Sequence, residues 1–148
     1  MSSKVSVLNR QNRVPVDRRK FGMAARRILK ALGYEGYELT VVLVDDLEIT
    51  RLNRQYLRHN RPTNVISFPM MDGTPESLRS RVLGDVVISA ETAQRDAGEA
   101  GEKTGDEILF LMIHGILHLT GYDHEGSAAE RRKMETKENE FFKRLKTP

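Results

Sequence analysis

The strongest limit on the fold comes from one apolar segment in the last third of the chain. Residues 108–113 read ILFLMI, and this run is apolar on every side. A surface helix keeps a polar face, so a helix that is apolar all round belongs in the interior of a domain. We therefore expect a central helix. Because Thr104 and Glu107 have the S/T-x-x-E spacing of a capping box, we expect it to begin at Thr104.

Two histidines lie on this helix and a third follows it. His114 and His118 are four residues apart, which places them on one helix face with Cβ atoms about 5–6 Å apart. Gly121 can adopt the left-handed conformation that ends a helix, and the turn then brings His124 towards the first two. A lone histidine here would be a polar residue satisfied by a neighbour. Three converging imidazoles instead predict a metal site, because without an ion their nitrogens would compete for few partners.

The donor set indicates which ion to expect. The sequence contains no cysteine, which excludes disulfides and thiolate sites. Neutral imidazole suits zinc, and three protein ligands leave the fourth tetrahedral position open, as in catalytic zinc sites. We therefore predict one Zn²⁺ held by His114, His118 and His124. Nickel, copper or iron can bind the same nitrogens, so the identity of the metal stays open.

The spacing of the histidines is shared with the metzincin proteases, whose motif is HExxHxxGxxH. Here the histidines and Gly121 match, but Gly115 stands where those enzymes have a catalytic glutamate. Without that carboxylate the site lacks the usual general base for peptide hydrolysis. A zinc peptidase or similar hydrolase is therefore an alternative that Gly115 opposes.

The remaining sequence predicts one small domain. A chain of 148 residues with 39% hydrophobic residues is long enough for one real core and too short for two. The first elements alternate as β, α, β, α. The expected strands are residues 4–8, 39–44, 65–67 and 84–88, the expected helices begin at Asp17, Asp45, Ser89 and Ser127, and residues 70–81 are expected to form a loop.

Membrane and secretory classes are not favoured. No apolar run approaches the roughly 20 residues that a membrane span needs. The N-terminus also lacks the apolar stretch of a secretory signal. With the absence of cysteine, these features favour a cytoplasmic protein without a membrane partner.

The distribution of charge is more informative than its sum. A net charge of +3 does not by itself indicate nucleic-acid binding. Solvated helix faces are the simpler explanation for basic residues at helical spacing, but beside a three-histidine site they are consistent with phosphate binding along RNA. Two such stripes are predicted, one from Arg51, Arg54 and Arg58 and one from Arg19, Arg26 and Lys30.

Three separated motifs resemble the YbeY family of bacterial zinc-dependent endoribonucleases and ribosomal RNA maturation factors. They are LNRQY with PTNVISFP, then LGDVVIS, then HGILHLTGYDH, in the family's order from about residue 38 onwards. The resemblance implies an α+β fold with residues 1–148 in one compact domain. It implies a mixed four-stranded sheet packed with about five helices, with the zincin-like HxxxH helix in the core.

The resemblance also implies a function. It is that of a single-strand-specific metallo-endoribonuclease acting in 3′-end maturation of 16S rRNA and in ribosome quality control. The implied partners are single-stranded or precursor rRNA and ribosomal or small-subunit factors, with no DNA. A non-catalytic ribosome assembly factor with a structural zinc is the second alternative to such an enzyme.

Four residues are candidates for catalysis: His114, Arg58, Ser67 and Asp85. The YbeY family commonly has an arginine directly after the tyrosine of its LNxxY motif, but here that position is Leu57. One step along a helix turns a side chain by about 100°. Arg58 is therefore not an automatic substitute, but it is expected to reach the cleft if the helix has ended by Tyr56, and His59 and Arg61 are other candidates.

The other polar candidates have two interpretations each. Ser67 and Asp85 are expected either to face the cleft or to stabilise turns. Asp123 is expected to orient a histidine or to cap the turn, and Tyr122 to donate to a phosphate or simply to pack. The nucleophile is either a water on the zinc ion or the 2′-hydroxyl of the RNA.

Overall fold

The computed structural model describes residues 4–58, 63–71, 74–123 and 125–146. The strands in these residues are β1 (Lys4–Asn9), β2 (Glu38–Val44), β3 (Val65–Pro69) and β4 (Val82–Ser89). The helices are α1 (Arg18–Leu32), α2 (Asp46–Leu57), α3 (Pro75–Ser80), α4 (Ala90–Ala100), α5 (Thr104–Leu119) and α6 (Ala128–Leu145).

The strands form a mixed sheet in the order β1-β2-β4-β3. β1, β2 and β4 run parallel, and β3 pairs antiparallel with β4 at one edge. Parallel neighbours need crossover connections, which α1 supplies between β1 and β2. The predicted α+β domain with a mixed four-stranded sheet is confirmed, and each predicted strand is slightly longer than expected.

α5 is the central helix that the sequence predicts. Ten of its sixteen residues are buried, so it is enclosed around most of its circumference. It packs on one face of the sheet, where its side chains share a core with residues of α1, α4 and α6. α2 covers part of the opposite face, where Ile49 packs with Val44, Ile66 and Val87.

The segment between β3 and β4 differs from the prediction. Residues 70–81 were expected to form a loop, but they contain α3, so the described residues hold six helices rather than about five. The Thr74 side chain accepts a hydrogen bond from the Ser77 amide, and Pro75 occupies the first turn. A capping side chain followed by proline is a common helix start. These local signals outweighed the glycine and proline content that had indicated a loop.

The start of α5 is predicted correctly, but its cap is not. The N-cap is Lys103, which makes no side-chain capping bond. The Glu107 amide donates to the Lys103 carbonyl oxygen at 3.1 Å, so the proposed capping box at Thr104 is wrong. Thr104 is the first residue of the helix rather than its N-cap. Within the part of the chain that is described, no helix is long and apolar enough to cross a membrane.

Candidate functional site

The C-terminal half of α5 brings two predicted metal ligands together. The ring centroids of His114 and His118 are 4.9 Å apart, with their planes at 77°. Both side chains are half-buried. They line a cavity of about 550 Å³ between α5 and β3, whose wall includes Asn64 and Ser67. We call this space the histidine cavity.

The chain turns sharply where α5 ends. Gly121 has φ +101°, a conformation that a side chain would strain. Its amide donates to the His118 carbonyl oxygen at 3.2 Å, and the Tyr122 amide donates to that of Leu117 at 3.0 Å. The predicted turn at Gly121 is therefore confirmed. His124 itself lies outside the described residues, so its place as third ligand stays a prediction.

The donor chemistry fits a transition-metal ion. Two imidazoles one helical turn apart on a buried helix are typical ligands for zinc, copper, iron or nickel. In the described ranges, which omit position 124, no three His, Asp or Glu side chains are grouped to hold an ion. A metal here would therefore bind His114 and His118 and take further ligands from elsewhere.

A buried acid contacts the first histidine. Glu138 on α6 is 5% exposed, and its Oε2 lies 2.8 Å from Nδ1 of His114. Glu138 is not among the residues predicted from the sequence. One sequence signal does indicate it. Met134, Glu138 and Phe141 lie at helical spacing on one face of α6, so Glu138 is a carboxylate within an apolar stripe.

Gly115 lies at a close approach between α5 and the sheet. A Cβ atom built on it would lie 2.5 Å from Cγ1 of Val86 and 3.2 Å from Oγ of Ser67. A side chain fits there only if Val86 or the helix shifts. This close packing explains why Gly115 occupies the position where the metzincin motif has glutamate.

Ser67 lines the histidine cavity, which agrees with the first of its two predicted roles, that of facing the cleft. Its hydroxyl donates to the Gly115 carbonyl oxygen at 3.3 Å. This bond links β3 to α5 beside His114. Ser67 therefore has a structural contact in the cavity wall as well as a place near the candidate ligands.

Comparison with known proteins relates the chain to one family. The family model described as "Endoribonuclease YbeY" matches residues 6–146. The chain belongs to the YbeY family. Similar proteins named Endoribonuclease YbeY include one from Geobacter metallireducens, 53% identical over 140 residues that cover 94% of this chain and 93% of the relative. Another, from Aquifex aeolicus, is 44% identical over 121 residues that cover 82% and 79%.

A solved structure supports the same fold. The solution structure of TM1509 from Thermotoga maritima superposes with a TM-score of 0.69 at 26% sequence identity. The match covers 95% of this chain and 88% of that one. The fold of this chain is therefore similar to one that has been observed experimentally.

Arg58 does not meet the condition under which it would replace the arginine of the YbeY motif. α2 continues through Leu57, past Tyr56, and Arg58 is its exposed C-cap with φ +59°. The described wall of the histidine cavity includes Leu57 but not Arg58. A catalytic role for Arg58 stays a prediction, and His59 and Arg61 lie outside the described residues.

Asp85 lies on the other face of the sheet from the histidines. Successive strand residues point to opposite faces, and its neighbour Val86 faces Gly115 on α5. Asp85 instead lines a larger cavity, of about 710 Å³, with Phe68 and Arg51. The expectation that Asp85 faces the same cleft as His114 is therefore not met. Side chains alternate between the two faces of the sheet along β4, and Val86, not Asp85, points towards α5. Burial raises the pKa of the Asp85 carboxyl.

The two residues after Gly121 have structural contacts. Asp123 Oδ1 accepts from the Glu125 amide at 2.8 Å, which is the turn-capping alternative of the two predicted for it. Tyr122 packs against the main core. Neither contact brings these side chains to His114.

A polar cluster fixes the start of α2 against α4. Asp46 Oδ1 accepts from Ser89 Oγ at 2.7 Å and from Thr92 Oγ1 at 2.6 Å, and Oδ2 accepts from Arg95 at 2.6 Å. Burial raises the pKa of the Asp46 carboxyl, but these three donors and the Arg95 charge outweigh burial and hold the pKa below 3.8. The cluster positions α2, whose last residue reaches the histidine cavity.

Proposed function

We propose that this YbeY chain is a zinc-dependent endoribonuclease that cleaves single-stranded RNA, with precursor 16S rRNA as its target. The observation that carries the proposal is the pair of adjacent imidazoles, His114 and His118, in an open cavity of a chain from this family. The family description and its named relatives are endoribonucleases. Cytoplasmic location, ribosome quality control and guidance by ribosomal or small-subunit factors are parts of the same proposal.

His114, His118 and His124 would hold the ion. A bound zinc would supply positive charge that offsets the negative charge developing on a phosphate during cleavage. The chain's own contribution is to hold two of the imidazoles on a buried helix, so that little reorganisation is needed when RNA enters the cavity.

A basic residue near the end of α2 is the proposed contact for a flanking phosphate. Arg54 and Arg58 are exposed, and Leu57 between them lines the histidine cavity. Arg51, in contrast, pairs with Glu48 at 2.6 Å and lies on the side of the other cavity. We therefore propose that Arg54 binds a flanking phosphate and treat Arg51 as part of a solvated helix face, while the role of Arg58 stays a prediction.

Ser67 is assigned to the cavity wall rather than to attack on the substrate. Its hydroxyl proton is directed to the Gly115 carbonyl oxygen, which is not a base that activates a nucleophile. A peptidase is not favoured, because Val86 leaves no space at position 115 for the acid that peptide hydrolysis uses.

The test compares RNA and protein as substrates. Purified zinc-loaded protein is incubated with single-stranded RNA and, separately, with an unstructured protein, before and after chelation. We expect cleavage of RNA alone, loss of cleavage with chelator, and recovery when zinc is returned. His118→Ala should reduce RNA cleavage at least 100-fold, as removal of an electrostatic group does, while Glu99→Ala, at an exposed position on α4, should cleave like wild type.

Two outcomes would contradict this proposal. Cleavage of the unstructured protein but not of RNA would favour the peptidase alternative. A His118→Ala protein that melts at a lower temperature yet cleaves RNA normally would favour a structural zinc.

A further inference from the structure

Glu138 is a carboxylate buried beside His114, and burying a carboxylate costs free energy. Glu138 is 5% exposed and lies on the same face of α6 as Met134 and Phe141, which belong to the main core. Burial of a carboxylate is unfavourable unless it is paired and hydrogen-bonded. An apolar side chain would suit that helix face better, so the acid is most simply explained by its contact with His114.

The contact determines which nitrogen of His114 carries hydrogen. An ionised carboxylate can only accept hydrogen bonds. Glu138 Oε2 lies 2.8 Å from Nδ1, and for a neutral ring that faces an ionised carboxylate this contact assigns the hydrogen to Nδ1 and the lone pair to Nε2. Nε2 is on the opposite side of the ring from Glu138.

We infer that Glu138 is a positioning residue that holds His114 as the Nδ1–H tautomer and so selects Nε2 as its metal-binding nitrogen. The inference rests on the proposed function, in which His114 is a metal ligand. Glu138 also fixes the rotation of the His114 ring, and with it the angle of 77° to the His118 ring. Carboxylates that hold a metal-binding histidine in this way typically contribute 10–100-fold to metal affinity.

The tautomer is tested by long-range proton–nitrogen NMR of the ¹⁵N-histidine-labelled full chain, loaded with zinc and again after chelation. His114→Gln identifies the His114 signals. We expect hydrogen on Nδ1 of His114 in both states of the wild type and in Glu138→Gln, whose side-chain oxygen still accepts. After chelation, Glu138→Ala should lose this preference. Hydrogen on Nε2 in the chelated wild type would overturn the inference.

Zinc affinity is tested separately, by competition between the zinc-loaded chain and a chromogenic chelator. We expect Glu138→Ala and Glu138→Leu to bind zinc 10–100-fold more weakly and Glu138→Gln to bind nearly as tightly as wild type. Glu135→Ala is the matched control, because Glu135 is exposed on the same helix. Melting temperatures show which variants are folded.

The variants distinguish positioning from packing. Glu138→Leu restores an apolar stripe and is expected to fold, so weak zinc binding by this variant supports positioning. Wild-type affinity in Glu138→Leu would mean that the site needs only packing, which overturns the inference. If wild type binds zinc and Glu138→Ala binds it equally well, only the inference fails. If wild type binds no zinc, the metal centre of the proposed function fails as well.

Discussion

Gly115 on α5 and Val86 on β4 approach so closely that a Cβ atom on the glycine would lie 2.5 Å from the valine Cγ1. The central helix therefore rests on the sheet through bare backbone at this point. The neighbouring residue in sequence, His114, is a candidate metal ligand. Because glycine has no side chain, α5 can lie this close to the sheet, and the distance between them sets the position of the His114 imidazole.

Gly115→Ala should lower the free energy of unfolding by about 1–3 kcal/mol, because overpacking at Val86 exceeds the gain in helix propensity. Urea denaturation measures the change. Gly105→Ala is the control, since a Cβ atom at that α5 position meets nothing within 4 Å. It should leave stability unchanged or raise it by up to about 1 kcal/mol. Equal effects of the two substitutions would show that the contact with Val86 is unimportant.

Zinc should stabilise the folded chain. A ligand that binds only the folded state adds about 2.7 kcal/mol at a concentration 100 times its Kd. Thermal melting of the chelated protein with and without added zinc measures this, and we expect a higher melting temperature with zinc. His114→Ala should remove most of the increase, whereas Glu99→Ala should retain it. An equal increase in all three proteins would place the binding site elsewhere.

The Asp46 cluster should make stability depend on acid pH. The pKa of Asp46 is lowered in the fold, so its contribution is complete above the ordinary value of 3.8 and is lost as pH falls through the folded value. Asp46→Asn should lower the free energy of unfolding at pH 7 by about 1–2 kcal/mol. The difference from wild type should shrink below pH 3.8, measured by urea denaturation across pH. A difference that stays constant with pH would show that the charge of Asp46 is not involved.

The Asp85 carboxylate should lower stability at neutral pH, whereas the Asp46 carboxylate raises it. The pKa of Asp85 is raised by burial, so the cost of ionising Asp85 in the fold is absent below 3.8, grows as pH rises above 3.8 and is complete above the folded value. Asp85→Asn should therefore raise the free energy of unfolding at pH 7, by less than about 1 kcal/mol. It should also cleave RNA normally, because Asp85 and the histidines lie on opposite faces of the sheet. Loss of cleavage by a folded Asp85→Asn protein would restore the catalytic role predicted from the sequence.

The sequence by itself determines the local parts of this protein. The apolar run of residues 108–113, the four-residue interval from His114 to His118, and the glycine at 121 predict a buried helix, a pair of imidazoles on one face and a turn. Each depends only on helical periodicity or on the backbone freedom of one residue, which act over a few positions. The family motifs add the sheet and the type of activity.

Tertiary structure decides what depends on distant residues. His114 meets Glu138 across 24 positions, and no periodicity within one helix indicates that pairing. Asp85 points to the face of the sheet opposite α5, and the sequence of β4 alone does not show which of its two faces α5 covers. Gly115 is required because α5 packs closely on β4, and α4 separates these two elements in the chain. Packing between elements, rather than preference within them, fixed all three relationships.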